Sequence, residues 1–170
     1  MKLDVNIRQE QTEDIDAITG VTRAAFKNHP VSHQTEEFII HALRAAGALT
    51  LSLVAELKGK IVGHIALSPV KVSNGDTGWY GLGPVSVLPD LQKQGVGKAL
   101  VIEGLSKLKR TGMQGCALVG DPEYYKRFGF RNNPDLIHEG IPQEYFLVLP
   151  LGKTTPRGVV KFHEGFNATR

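Results

Sequence analysis

Hydrophobic and polar positions change period several times along this chain, and each change marks an element. Residues 5–8, Val-Asn-Ile-Arg, alternate as a short strand does. Thr12 followed by Glu13 and Asp14 has the character of a helix start, predicting a helix to about Lys27, where Asn28-His29-Pro30 breaks it. A second helical stripe, Phe38, Ile39, Ala42, Leu43 and Ala46, spans 35–46 and stops at Gly47. From Leu49 the period drops to two. Leu51, Leu53, Ala55 and Leu57 alternate with their neighbours until Lys58-Gly59-Lys60 turns the chain back into a return arm over 61–72. The turn Ser73-Asn74-Gly75-Asp76 then leads into a third strand over 79–88.

A long helix is predicted over 94–110, with Val101, Leu105 and Leu108 in its apolar stripe and Leu100 beside them. A buried-type strand follows at 116–119. Asp121 then caps a short helix with Pro122 at its first position, and Gly129 ends it. Strand-like pieces at 145–149 and 158–161 are separated by Pro142, Pro150 and Pro156. The order is β, α, α, β, β, β, α, β, α, β. Its one strand-helix-strand crossover, from Val85 to Val119, predicts a parallel pair inside a mixed, mostly antiparallel sheet flanked by helices. The fold class is therefore α+β. We read one domain over 1–170, with a core of about 5–150 and a C-terminal strand and tail over 151–170.

Composition narrows the function classes. Hydrophobic residues make up 41% and charged residues 22%, so the chain has the makings of a packed core. No apolar run approaches the roughly 20 residues that span a bilayer, and the start lacks a signal-peptide core, which predicts a cytoplasmic protein without membrane contact. One cysteine, Cys116, allows no internal disulfide and no zinc spacing, so no metal is expected. The net charge of +3 suits several partners. Aromatics are only 7% of residues and do not interleave with a cationic stripe, which argues against nucleic acid. Lys107, Lys109 and Arg110 fit a helix C-terminus.

The chemistry concentrates between Val85 and Leu100. A buried strand, Val85-Ser86-Val87, delivers the loop Gln92-Lys93-Gln94-Gly95-Val96-Gly97-Lys98 into a helix start, where unpaired N–H groups and the helix dipole favour an anion. Gly95 and Gly97 admit a bulky phosphate to the backbone, and Lys93 and Lys98 add positive charge. By spacing alone, the same glycines serve equally for a tight loop and close helix packing. Two other phosphate loops fit worse. Gly97-Lys98 is followed by Ala99 rather than Ser or Thr, and a dinucleotide fingerprint lacks its third glycine because position 100 is Leu. Pro84 inside a strand predicts a bulge or splayed edge.

Gln92-x-x-Gly95-x-Gly97 after Val85-Ser86-Val87, together with Tyr125-Lys126-Arg127-Phe128-Gly129-Phe130, resembles the acetyl-coenzyme A signature of the GNAT superfamily of N-acetyltransferases. The segment from Gly120 to Phe130 is most similar to its YhbS-like branch. The resemblance implies a GNAT fold and acetyl-CoA as cosubstrate. It implies that amides of about Gln94 to Lys98, in the loop with Gln92 and Lys93, cradle the pyrophosphate. The strand Val85, Ser86, Val87 pairs with the pantetheine arm, and the Val85 N–H stabilises the acetyl oxygen as an oxyanion donor. Tyr125 takes the place of the general acid that protonates the departing thiolate.

One departure stands out: relatives place a glutamate on the strand before the loop, whereas no carboxylate lies between Trp79 and Pro89 here. Water, Glu36, Glu37 or His64 are the remaining candidates for a base. Tyr124, one step from Tyr125, is turned about 100° away and is expected to pack. Cys116 is expected to be buried, which favours direct attack of a bound amine over an acyl-cysteine route. The expected function is acetyl transfer to a primary amine, small-molecule or protein, with a homodimer left open. The alternative is a non-catalytic acyl-CoA sensor or partner-binding module.

Overall fold

The computed structural model describes residues 2–170. Its strands are β1 (Asn6–Gln9), β2 (Leu51–Leu57), β3 (Lys60–Pro69), β4 (Lys71–Val72), β5 (Trp79–Val87), β6 (Gly115–Val119), β7 (Leu136–Ile137), β8 (Phe146–Pro150) and β9 (Gly158–Lys161). The alternating segments pair into a six-stranded sheet ordered β1-β2-β3-β5-β6-β8. Every pairing in it is antiparallel except β5 with β6, whose register runs from Trp79↔Gly115 to Gly81↔Ala117. That exception is the predicted crossover, made by helix α3 (Val96–Arg110).

The period of two in the strands divides the sheet's faces. Gly63, Ile65 and Leu67 of β3 face α3: a Cβ at Gly63 would lie 3.0 Å from Val96, and one at Gly104 would lie 3.2 Å from Leu67. The other face is covered by α1 (Ile15–Phe26) and α2 (Glu36–Ala45), with Ile18, Val21 and Ile40 packed on Val54 and Ile61. His64 of β3 and Ser86 of β5 belong to this second face, where the Ser86 hydroxyl donates to Thr22 Oγ1 of α1 at 3.4 Å.

Three expectations shift. The predicted return arm over 61–72 is two strands, because the main-sheet ladder ends at Pro69. Lys71–Val72 instead pairs with β9 in a small second sheet ordered β4-β9-β7. Val70, Val72, Leu136 and Val160 bury there against Trp79 and Phe146, forming a satellite core under the tail. The long helix starts at Val96 rather than Gln94, since Lys93 and Gly95 adopt positive φ of 62° and 91°. The first helix begins as a 3-10 turn over Thr12–Asp14, and the Gln11 N–H, not Thr12, anchors it by donating to Asp14 at 2.7 Å.

Gly115 sits beside Trp79 with no room for a side chain: a Cβ would lie 2.4 Å from the indole. We expect Gly115→Val to cost about 3 kcal/mol by overpacking, lowering the thermal midpoint by roughly 6–12 °C in a calorimetric scan.

Candidate active site

The pairing between β5 and β6 stops at Gly81↔Ala117, and the two strands diverge beyond it. On its other side β5 carries a bulge, with Gly83 and Pro84 together opposing Ala66 between the pairs Leu67↔Leu82 and Ile65↔Val85. Pro84 thus lies at the bulge that its missing donor predicts. Ladder parity then fixes which groups face the gap. The Leu88 N–H donates to the Val62 carbonyl at 2.9 Å, which makes 62/88 a hydrogen-bonded pair. Alternation makes His64↔Ser86 bonded as well, and Ile65↔Val85 and Gly63↔Val87 non-bonded. The backbone N–H and C=O of Val85 and Val87 therefore point away from β3, into the cleft. Gln92 agrees independently, because its side-chain amide donates to the Val87 carbonyl at 3.1 Å.

The loop after β5 presents a second row of free donors. The Ala99 N–H bonding to the Gly95 carbonyl at 3.0 Å opens the α3 ladder, and no side chain caps that helix. Among the described residues, no acceptor of the chain meets the N–H groups of Gln94, Gly95, Val96, Gly97 and Lys98. Five consecutive amides at a helix N-terminus, with exposed Lys93 and Lys98 beside them, form a cradle for an anion. Nothing in the sequence pattern pointed to the strap across it: the Leu3 N–H donates to the Gln94 carbonyl at 3.0 Å, and the Lys2 side chain comes 3.2 Å from where a Gly95 Cβ would be.

The two tyrosines end helix α4 (Pro122–Tyr125), which Asp121 caps by accepting from the Glu123 N–H at 2.9 Å. The Tyr125 ring stacks edge-on to Phe130 and covers Gly120, whose Cβ would lie 2.7 Å from it. Its hydroxyl has no hydrogen-bond partner among the described residues. Burial pushes that phenol up to about 12, with Tyr124 and Asp121 adding to the rise. Tyr124 packs, as expected, on Phe128 and under the Arg127 guanidinium, 4.5 Å from its ring centroid. Its hydroxyl nevertheless reaches the cradle, 3.3 Å from where a Gly97 Cβ would stand.

The chain's sequence and fold are shared with known proteins. Residues 17–130 match the model of the acetyltransferase (GNAT) family. The chain belongs to the GNAT family. This GNAT protein is 34% identical to the uncharacterized N-acetyltransferase YhbS of Escherichia coli (strain K12), over 95% of this chain and 98% of the relative. A crystal structure of a GNAT family acetyltransferase from Brucella melitensis in complex with acetyl-CoA superposes with a TM-score of 0.85 at 47% identity, covering 96% of this chain and 98% of that one. The structure of Escherichia coli YhbS in complex with CoA gives 0.89 at 33% identity, covering 100% and 98%.

The GNAT cleft here has no carboxylate on β5, and the two acids of α2 considered as a base are engaged. Glu36 accepts from the Ser32 hydroxyl at 2.7 Å, and Glu37 accepts from Arg23 at 2.8 Å. Cys116 is buried, and desolvation pushes its thiol up to about 12, so it holds no thiolate for acyl transfer. Among the described residues no helix is long and apolar enough to cross a membrane, and no group of three His, Cys, Asp or Glu could hold a metal ion.

His64 is fully buried on the α1 face. Its Nε2 lies 2.8 Å from Ser52 Oγ, and the Ser52 hydroxyl donates in turn to Glu10. Arg44 grips Glu10 with two bonds of 3.0 and 2.9 Å. Burial raises the Glu10 carboxyl, but the Arg44 and Ser52 bonds outweigh it and hold the group below its usual range. Desolvation lowers His64 to about 4 from an ordinary 6.5; Glu10 opposes the shift and Arg44 adds to it. Since the folded value is depressed, stability is whole above pH 6.5 and falls by about 3 kcal/mol as the pH drops through 4. Urea titrations at pH 7.5, 5.5 and 4.5 should show that slope in the wild type, flattened in His64→Gln.

Proposed function

We propose that this GNAT protein transfers the acetyl group of acetyl-CoA to a primary amine by direct attack, with both reactants held in the β5/β6 cleft. The observation that carries the reading is the alignment of two donor rows. Cleft-facing Val85 and Val87 backbone runs toward the free amides of Gln94 to Lys98, with the Val87 side chain 3.8 Å from where a Gly97 Cβ would stand. The amides hold the diphosphate, with Lys93 and Lys98 and the Tyr124 hydroxyl beside it. Val85, Ser86 and Val87 act as the strand to which the pantetheine amides add, through the outward groups of Val85 and Val87. Gln92 fixes the Val87 carbonyl. The Val85 N–H then donates to the acetyl oxygen as charge develops there.

Tyr125 donates to the departing sulfur. A phenol near 12 against an ordinary thiol of about 8.5 makes complete transfer uphill by about 5 kcal/mol, so Tyr125 works by a hydrogen bond that strengthens as the C–S bond breaks. The acceptor enters between the segment after α1 and the tail, where the Phe162 ring occupies the space a Gly81 side chain would fill, 2.8 Å from that Cβ position.

The bare β5 strand also supports a second reading, an acyl-CoA sensor that binds without transferring. Calorimetry with acetyl-CoA and CoA tests the shared claim, and no uptake at millimolar ligand would sink both readings. Continuous thiol detection with acetyl-CoA against amines, polyamines, amino acids and peptides separates them. Uptake with acceptor-dependent thiol release supports transfer; uptake with none supports the sensor.

A further inference from the structure

The hydrogen bonds around Ser52 fix the state of His64. Ser52 has one hydroxyl proton, and the Glu10 carboxylate, ionised beside Arg44, can only accept it. Ser52 must therefore accept from His64, so the imidazole carries its proton on Nε2. Nδ1 is left as a bare lone pair, and it is buried with no partner among the described residues. A buried acceptor without a donor is costly and uncommon, and it marks a place where a donor arrives.

His64 also stands in a telling position. It pairs with Ser86, the residue next to Val85, on the sheet face opposite α3. Tyr125 packs with the α3-side core. We propose that His64, Ser52 and Glu10 form a proton relay for the attacking amine, with a bridging water joining Nδ1 to the cleft; this rests on the acetyl-transfer reading above. The amine and the departing thiolate are then served from opposite faces of the sheet.

The atoms balance. The amine nitrogen bonds to the thioester carbon, and an N–H proton passes to Nδ1. The Nε2 proton moves to Ser52, and the Ser52 proton moves to Glu10, which returns it to solvent at its exposed edge; before the next turnover Nδ1 gives its proton to the bridging water, and a solvent proton passes back through Glu10 and Ser52 to Nε2. The C–S bond breaks, and the sulfur takes its proton from Tyr125, which solvent restores. Because a proton leaves Nε2 as one enters Nδ1, the ring need not hold a charge, and a weakly basic imidazole suffices. A nitrogen already bonded to the thioester carbon is a much stronger acid than the free ammonium, which favours the transfer. The groups facing His64 are Glu10 beyond β1, Arg44 of α2 with His41 behind it at 3.5 Å, Ser52 of β2, Ser86 of β5 and Thr22 of α1.

The test uses hydroxylamine, small and unprotonated at neutral pH, with acetyl-CoA and thiol detection on the full chain. His64→Gln keeps a donor to Ser52 but cannot pass a proton. It should lower kcat by roughly 100-fold, with acetyl-CoA binding by calorimetry unchanged. Ser52→Ala and Glu10→Gln should each give a similar loss, and the double variants no more than the single ones. A proton inventory in mixed H2O and D2O should be bowed in the wild type and straight in His64→Gln. Variants with kcat near that of the wild type, or fully additive losses, overturn the relay while leaving acetyl transfer intact. Absent acetyl-CoA binding defeats the transfer reading itself. If hydroxylamine is not turned over, nitrogen-15 NMR of the wild-type imidazole decides: a neutral ring protonated at Nε2 supports the relay, and one protonated at Nδ1 overturns it.

Discussion

Tyr125→Phe should lower kcat for the proposed acetyl transfer by roughly 100-fold or more and leave the acetyl-CoA dissociation constant where it is in the wild type. The substitution removes one oxygen that has no hydrogen-bond partner among the described residues. It keeps the ring that packs on Phe130 and covers Gly120, so the thermal midpoint should hold. The loss should fall on turnover because the hydroxyl's task begins only as the thiolate leaves. Tyr124→Phe supplies the contrast. Its hydroxyl stands beside Gly97, at the end of the cleft where we propose the diphosphate binds, so its removal should weaken acetyl-CoA binding more than turnover. The reverse pattern in the two variants would move the acid role to Tyr124.

Gly97→Val should weaken acetyl-CoA binding by at least about 100-fold, a loss near 2.7 kcal/mol. Gly97 lies outside the positive-φ positions, so valine meets no backbone strain there. Its Cβ would meet the Tyr124 hydroxyl at 3.3 Å and its methyls would screen the free amides of the loop. Calorimetry reads the affinity, and circular dichroism confirms that the fold is kept. Wild-type affinity in this variant would mean that the diphosphate lies elsewhere.

The route from sequence to site was open wherever neighbours in the chain are neighbours in space. Val85, the loop through Gly97 and the helix behind it form one continuous run, so the strand-loop-helix junction was legible from periodicity, while the two glycines by spacing alone left anion binding and tight packing equally open. The parallel pair followed from the length of a single crossover. Pro84 marked the bulge because a missing donor leaves a local trace. What stayed hidden depends on contacts between distant residues. The strands β4 and β7 are two residues each, too short for any alternation, and Val159 reaches Ser73 across 86 positions. Ser52, His64 and Glu10 are unremarkable singly. Only the register Ala66↔Ser52 brings Ser52 diagonally against the imidazole and gives the three a common purpose. Tyr124 packs on Phe128 as its place one step from Tyr125 suggests, but the turn of about 100° does not part the two rings, which meet edge-on at 4.9 Å, and it gives no sign that the Tyr124 hydroxyl reaches Gly97.

The bond from the Leu3 amide to the Gln94 carbonyl ties Leu3 to the loop where we propose the diphosphate is held. An affinity tag fused ahead of Lys2, whose side chain lies 3.2 Å from where a Gly95 Cβ would be, would add bulk and charge beside the proposed diphosphate site. Protein purified on a carboxyl-terminal handle, or with the leading tag cleaved, should therefore give tighter and less salt-dependent acetyl-CoA isotherms than the tagged form.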